Sequence, residues 1–197
     1  MKQKIRDFKK NQIIDEAIDL ISNHGFHLTT MDKLCENLQV SKPFLYSYFD
    51  NKHALLIEIY DRMVAISSKG IEEILKDRDL PENKIRRIVG YLATINIEVQ
   101  AISAIYMQEE KNLPEDKRQQ LRQIERHLDD EFTKLIEAGV HEGIFEVENP
   151  RIATLSIFSM ARWVHRWYRP DHLPAEIVAS QIATYALNLL RYRQRPS

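Results

Sequence analysis

The stretch that decides the fold runs from Thr29 to Lys52 and has the sequence TTMDKLCENLQVSKPFLYSYFDNK. Apolar residues recur at helical spacing on both sides of residues 39–41, and this short segment is a turn of about the three to four residues that a helix-turn-helix requires. Thr29 or Thr30 can cap the first of these helices, and Ser41 can cap the second. The stretch therefore predicts two short helices held at a fixed angle.

The outer face of the second helix offers short polar, cationic and phenolic side chains, which suit a helix end inserted into the major groove of DNA. The residues predicted to contact phosphates are Thr30, Tyr46, Tyr48 and Lys52, and those predicted to lie near base edges are Lys42, Pro43 and Ser47. The alternative is that the two helices are ordinary amphipathic members of a helical bundle, with Tyr46 in its core.

This stretch resembles the DNA-binding domain of the TetR family of transcriptional repressors. The matching residues are the pair Gly25-Phe26, the double Thr29-Thr30, the turn Val40-Ser41, the string Leu45-Tyr46-Ser47-Tyr48-Phe49 and Lys52. Gln39 departs from the pattern, because the family usually has Gly there, and a left-handed Gln costs roughly 1–2 kcal/mol. The resemblance implies a homodimer that binds a palindromic DNA operator and releases it when a small molecule fills the body of the protein.

The rest of the chain indicates an all-α protein with about nine helices, because strand-type alternation is missing between its few glycines and prolines. We predict an N-terminal three-helix helix-turn-helix domain over residues 1–50 and a larger helical ligand-binding and dimerisation domain over 51–197. The expected helices are 4–24, two in the quoted stretch, one from about 52 to 76, and further ones near 84–112, 115–139, 149–168 and 174–193, with a loop at 78–83.

The composition limits the remaining function classes. A formal net charge of -1 gives no overall nucleic-acid signature, so a DNA contact needs a local patch, and five cations against Asp7 in the first ten residues supply one. The single cysteine, the lack of a signal peptide and the lack of a long apolar run predict a cytoplasmic protein with no membrane partner. No phosphate loop, nucleophile motif or metal-type His/Cys spacing occurs, so we expect no enzyme, no cofactor and no metal site.

The best candidate for an effector-binding site in the sequence is the string Arg162-Trp163-Val164-His165-Arg166-Trp167, which contains two indoles and two guanidinium groups. It resembles a TetR subgroup of lipid-breakdown regulators, several of which respond to acyl-coenzyme A thioesters. The predicted ligand-binding residues are Arg162, Trp163, Arg166, Trp167, Tyr106 and Met107. A neutral lipophilic effector, as for a regulator of drug efflux, is the runner-up, and the Trp pair can equally be dimer packing.

The last two helices are expected to pair with those of a second subunit, because this is the arrangement in relatives of that subgroup. The predicted partner-facing stripe of the last helix consists of Ile177, Ile182, Ala183, Ala186, Leu187 and Leu190. The alternative is that this stripe closes the subunit's own core. A rival function from another class is a helical protein-interaction module that does not bind DNA.

Overall fold

The computed structural model describes residues 2–193, and every regular element in that range is helical. The α-helices in chain order are α1 (Lys2–His24), α2 (Met31–Leu38), α3 (Lys42–Tyr46), α4 (Lys52–Lys76), α5 (Pro81–Glu98), α6 (Gln100–Gln108), α7 (Glu115–His141), α8 (Pro150–Arg162), α9 (Val164–Trp167) and α10 (Ala175–Leu189). A short 3₁₀ turn, Glu110–Asn112, precedes α7. The all-α fold class is confirmed.

Three predicted boundaries were wrong. The helix expected at 84–112 begins earlier, at Pro81, and is broken at Val99, whose ψ of 47° lies outside the helical region. The helix expected at 149–168 is divided at Trp163 into α8 and α9. The Gln100 side chain helps to fix this division, since its amide donates to the carbonyls of His165 (3.1 Å) and Tyr168 (3.3 Å) at the end of α9. Contacts from a distant part of the chain thus override the continuous helical pattern.

The first compact unit consists of residues up to 64 together with 101–118. Its core contains fully buried side chains from the first helices and from α4, among them Ile14, Leu34 and Leu56. The buried Tyr60 of α4 joins α6 to this core, because its hydroxyl donates to the Tyr106 carbonyl at 2.7 Å and its ring stacks on the Tyr106 ring. The predicted functional boundary at residue 50 stays a prediction.

The second compact unit consists of residues 65–100 and 119 onward. Within it α10 and α8 both pack on α5, and the Phe132 and Phe158 rings meet at 4.6 Å. The predicted partner-facing stripe of α10 was assigned to the wrong face. Of its members only Ile177 is exposed, whereas the others, Ile182, Ala183, Ala186, Leu187 and Leu190, lie inside the subunit's own core.

Over the described residues, no single helix is both long and apolar enough to cross a membrane, and α5 with α6 meets that criterion only as a bent pair.

Candidate nucleic-acid interface

The start of α2 is fixed by two neighbouring threonines, whose hydroxyls form different hydrogen bonds. Thr30 is the N-cap, and its hydroxyl accepts from the Lys33 amide at 3.2 Å. Thr29 is buried, and its hydroxyl donates to the Gly25 carbonyl at 3.0 Å. Gly25 itself ends α1 with a φ of 81°, a left-handed conformation that glycine adopts without strain. The loop before α2 is therefore held from both ends, and Thr30 remains exposed for a phosphate contact.

The turn between α2 and α3 is left-handed at Gln39, with φ 53° and ψ 43°, as the family resemblance implied. The Gln39 amide donates to the Glu36 carbonyl at 3.2 Å, and the Val40 amide donates to the Cys35 carbonyl at 3.0 Å. This pair of bonds is a Schellman motif, which satisfies the last carbonyls of a helix. A side chain at a position that favours glycine leaves local strain in the turn.

Helix α3 begins at the predicted Ser41 cap, whose hydroxyl accepts from the Phe44 amide at 3.3 Å. Leu45 is fully buried and anchors the helix to the core, so the opposite face is turned outward. The exposed residues on and beside α3 are Lys42, Pro43, Tyr46 and Ser47. The structure thus brings four of the seven predicted DNA contacts together on one exposed helix, and Tyr46, with 46% of its surface exposed, is outside the core.

Lys42 pairs with Asp32 of α2, its ammonium 2.8 Å from the carboxylate. The hydrogen bond to Asp32 and the charge of that carboxylate raise the pKa of Lys42. Both side chains are exposed, and solvent-exposed pairs of this kind contribute little to stability. Lys42 can therefore exchange Asp32 for an anionic or acceptor group of DNA at low cost.

Tyr48 lies at the border of the α3 surface and is half-buried. Its ring packs against Phe44 at 5.2 Å between centroids. Two cations from α1 lie over this aromatic pair: Arg6 is 5.8 Å from the Tyr48 ring, and Lys9 is 5.2 Å from the Phe44 ring. The cation-rich start of the chain signalled a local patch, but the sequence alone did not place it beside α3.

Lys52, predicted to contact a phosphate, has internal acceptors. Its ammonium donates to the carbonyls of Phe26 (3.0 Å), His27 (3.2 Å) and Thr29 (3.2 Å), and it lies 4.5 Å from the centre of the Phe26 ring. These contacts join the first turn of α4 to the loop before α2. A phosphate contact by Lys52 would require it to give up one of these carbonyls.

The predicted ligand-binding residues fall in both compact units. Trp163 and Trp167 are half exposed, with 51% and 52% of their surfaces accessible, and Arg166 beside them is exposed. Arg162 lies 3.9 Å from Glu125 and 5.2 Å from the Phe158 ring. The other two predicted residues, Tyr106 and Met107, belong to the first unit, and 45% of the Met107 surface is exposed.

A buried polar cluster between α7 and α8 was not predicted, because Asp129 is followed by Asp130 and Glu131 and such a run of acids is typical of a solvated helix face. Asp129 is only 8% exposed, and one of its carboxylate oxygens lies 3.3 Å from Arg151 while the other is buried without a hydrogen-bond partner. Desolvation raises the pKa of Asp129, against the opposing charges of Arg162 and Arg151. Beside it, the hydroxyls of Thr133 and Thr154 share a hydrogen bond of 2.8 Å.

Two family models match the chain. Residues 13–59 match the model for bacterial regulatory proteins of the tetR family, and residues 78–190 match the model for the tetracyclin repressor-like C-terminal domain. The chain belongs to the TetR family. This membership confirms the resemblance stated from residues 25–52, and it confirms the prediction of a regulatory protein rather than an enzyme.

Individual members of the TetR family agree with this assignment. The fatty acid metabolism regulator protein of Bacillus subtilis (strain 168) is 28% identical over 90 residues, which cover 46% of this chain and 45% of the relative, so the match spans less than half of that regulator's length. The TetR-family regulator PfmR of Thermus thermophilus is 27% identical, with a TM-score of 0.81 over 93% of this chain and 99% of that one. AibR, solved in complex with isovaleryl coenzyme A and operator DNA, shares the fold at 20% identity, with a TM-score of 0.79 over 92% and 97% of the two chains.

Proposed function

We propose that this TetR-family protein is a ligand-responsive transcriptional repressor that binds a palindromic DNA operator as a homodimer. The observation that carries the proposal is the exposed face of α3, where Lys42, Pro43, Tyr46 and Ser47 surround the outer side of a helix anchored by the buried Leu45. A recognition helix needs this combination of a rigid inner side and a polar outer side. The proposed site of action is the cytoplasm, where operator DNA is available, and the proposal requires no cofactor.

Within this face we assign Lys42, Pro43 and Ser47 to base edges and Tyr46 to a phosphate. Thr30, Tyr48 and Lys52 are also assigned to phosphates, although Lys52 would first have to leave a carbonyl of its own loop. Base contacts specify sequence, whereas phosphate contacts only position the protein. The two groups of residues should therefore respond differently to substitution.

The DNA assignment is tested by comparing operator and scrambled duplexes. Lys42→Ala should reduce the preference for the operator roughly tenfold, whereas Tyr46→Phe should weaken binding to both duplexes alike. Lys111→Ala, which removes an exposed lysine of the 3₁₀ turn, is the matched control and should change neither. Equal operator preference in Lys42→Ala and in the unsubstituted protein would contradict the assignment of this face.

The homodimer proposal is supported by an exposed apolar face on the outer sides of α8 and α10. Its residues are Ile152 and Leu155 on α8 and Ile177, Tyr185 and Leu189 on α10, each with at least 41% of its surface exposed. A surface groove of about 540 Å³ continues this face and is lined by Ile152 and Leu189 among others. Because α8 and α10 pack on each other, exposed apolar residues on both helices support an interaction site. We assign its partner as the same face of a second copy.

Light scattering on purified variants tests this dimer. Leu155→Asp should give a folded monomer, because the charge would be buried only in the dimer. Ala186→Asp should unfold the protein, because Ala186 is fully buried within the subunit. Val140→Asp changes an exposed apolar residue of α7 outside the face and should remain dimeric. A monomeric unsubstituted protein at micromolar concentration, or a Leu155→Asp dimer, would contradict the proposal.

We assign the effector to the class of acyl-coenzyme A thioesters or similar amphipathic anions. The support is the clustering of Arg162, Trp163, Arg166 and Trp167 in this sequence, together with a protein of the same fold, AibR, that binds isovaleryl coenzyme A. An arginine fork binds phosphate bidentately, and each buried methylene of an acyl chain contributes about 0.8 kcal/mol. For Tyr106 and Met107, which belong to the first compact unit, ligand binding stays a prediction from the sequence.

Titrating the DNA complex with thioesters of graded chain length, and with neutral lipophilic dyes, tests the effector class. Release by thioesters should be lost in Arg166→Ala while DNA binding stays intact. Arg169→Ala removes a nearby exposed guanidinium, which donates to the Tyr168 carbonyl, and serves as the control. Release by neutral dyes alone would favour a regulator of drug efflux and would contradict the thioester assignment.

A further inference from the structure

The first three turns of α1 form a helical segment without core packing. Every residue from Lys2 to Gln12 is exposed or half-exposed, and the first buried side chain of the helix is Ile13. Isolated helices of this length are marginal in water, since most helical stability in proteins comes from packing of an apolar face. The segment is therefore ordered by continuation of the packed part of α1 and by what its own side chains contact.

The charges of this segment work against its own helical stability. Arg6 lies four residues after Lys2, three before Lys9 and four before Lys10. These three like-charge neighbours outnumber the two opposite-charge neighbours of Asp7, which are Lys4 and Lys10. Each like-charge pair destabilises a helix by about 0.2–0.5 kcal/mol. A local arrangement that opposes the fold is a sign of a functional constraint, and clustered cations point to a polyanion.

The contacts with α3 fix two of these cations in place. Arg6 lies over the Tyr48 ring and Lys9 over the Phe44 ring, and the two rings pack on each other. Cation–π contacts hold a charged group without neutralising it, so both side chains keep their net charge for another partner. Both are exposed.

Lys10 differs from these two cations. It also lies over an aromatic ring, that of Phe49 at 5.8 Å, but its ammonium forms a 2.7 Å ion pair with Glu58 of α4, which neutralises it within the protein. The structure thus gives Lys10 a carboxylate partner, whereas the contacts shown for Arg6 and Lys9 are with aromatic rings.

We propose that Arg6 and Lys9, held by the Phe44–Tyr48 pair, extend the α3 surface along the duplex and bind two phosphates of the DNA backbone. Phe44 is then a positioning residue, which aligns Lys9 with the recognition helix instead of touching DNA. The inference rests on the proposed function, because it needs α3 to lie on DNA. It adds a second, sequence-independent anchor that belongs to α1 rather than to the helix-turn-helix.

The test is the salt dependence of binding to a duplex that contains the operator. Each lost phosphate contact lowers the slope of log K against log salt by about 0.9, so Arg6→Gln/Lys9→Gln should lower it by about 1.8. Between 50 and 200 mM salt the double variant should then lose roughly 12-fold less affinity than the unsubstituted protein. Lys10→Gln, on the same helix, should leave the slope unchanged, and Phe44→Leu should lower it by up to about one.

The outcomes separate this inference from the proposed function. If the unsubstituted protein binds no DNA, the proposed function fails. If it binds the operator and Lys42→Ala weakens its preference, but the double variant keeps the full salt slope, only the α1 anchor is wrong. An equal fall of the salt slope in Lys10→Gln would also overturn the α1 anchor. So would binding of the protein to phosphatidylserine vesicles, if the double variant abolished that binding while the salt slope of its DNA binding stayed unchanged.

Discussion

Replacing Lys52 by methionine is the most informative substitution in the helix-turn-helix region, because sequence and structure assign that lysine different roles. The sequence predicts a phosphate contact, whereas the structure gives its ammonium three carbonyl acceptors in the loop before α2. Methionine keeps most of the apolar stem and removes the charge and the donors. The variant therefore separates a stabilising role from a DNA-binding role.

The expected loss of stability follows from these contacts. Two of the carbonyls, those of Phe26 and Thr29, are partly buried, and the third, that of His27, is exposed. Hydrogen bonds from a charged donor contribute about 1.5–3 kcal/mol each, and the exposed bond to the His27 carbonyl contributes much less. Bonds that share one ammonium are not additive. The contact with the Phe26 ring adds roughly 0.5–1 kcal/mol. Lys52→Met should lower the free energy of unfolding by about 2–3 kcal/mol.

Urea unfolding, followed by circular dichroism, measures this loss, and Lys111→Met serves as an exposed control that should change stability by less than about 0.5 kcal/mol. Salt titration of DNA binding, at a temperature where the variant is folded, gives the second readout. An unchanged free energy of unfolding together with a salt slope lowered by about one would refute the structural role. Lys52 would then be the phosphate contact that the sequence predicted.

Three further substitutions test local features of the fold. Gln39→Gly should raise the free energy of unfolding by about 0.5–1 kcal/mol, because relief of left-handed strain exceeds the entropy that glycine adds to the unfolded chain. Gln39→Ala should give no such increase, and the midpoints of denaturant unfolding measure both effects. Tyr60→Phe should cost about 1–2 kcal/mol, since it leaves the Tyr106 carbonyl without its 2.7 Å donor, and a change below about 0.3 kcal/mol in thermal unfolding would contradict this. Asp129→Asn tests the dependence of stability on pH. Burial raises the pKa of Asp129, so the folded state holds this proton more tightly than the unfolded state does. The free energy of unfolding therefore falls as the pH rises from the ordinary pKa of 3.8 through the raised pKa of the folded state. The stability of Asp129→Asn relative to the unsubstituted protein should therefore grow across that window, and a difference that is constant between about pH 3 and 7 would be the contrary result.

The local features of the helix-turn-helix region were predictable from the sequence because they depend on neighbouring residues. A cap at Thr29 or Thr30 and the cap at Ser41 follow from the chemistry of a few consecutive positions, whereas the left-handed turn at Gln39 was implied by the family resemblance. The identity of the outward face of α3 follows as well, since Leu45 and Phe49 are apolar and four apart. The sequence therefore predicted which face of α3 is exposed, whereas it did not predict the carbonyl acceptors of Lys52.

Features that depend on distant contacts were not predictable in this way. Helix α10 has apolar residues on both its inner and outer faces, so its pattern did not distinguish the face packed on α5 from the exposed one. Asp129 follows a solvated pattern, and only the packing of α8 against α7 buries it. The pairing of Arg6 and Lys9 with α3 likewise needs the three-dimensional arrangement of α1.

The most direct test of the central claim is selection of genomic DNA fragments by the purified protein, followed by measurement of affinity for the recovered fragments. A dimeric repressor should recover a small set of regulatory fragments that share an inverted repeat, with half-sites about one helical turn apart. Binding to that repeat should exceed binding to a scrambled duplex by about 10³-fold or more at physiological salt. Recovery of fragments without a shared sequence, bound no more tightly than the scrambled duplex, would contradict the account.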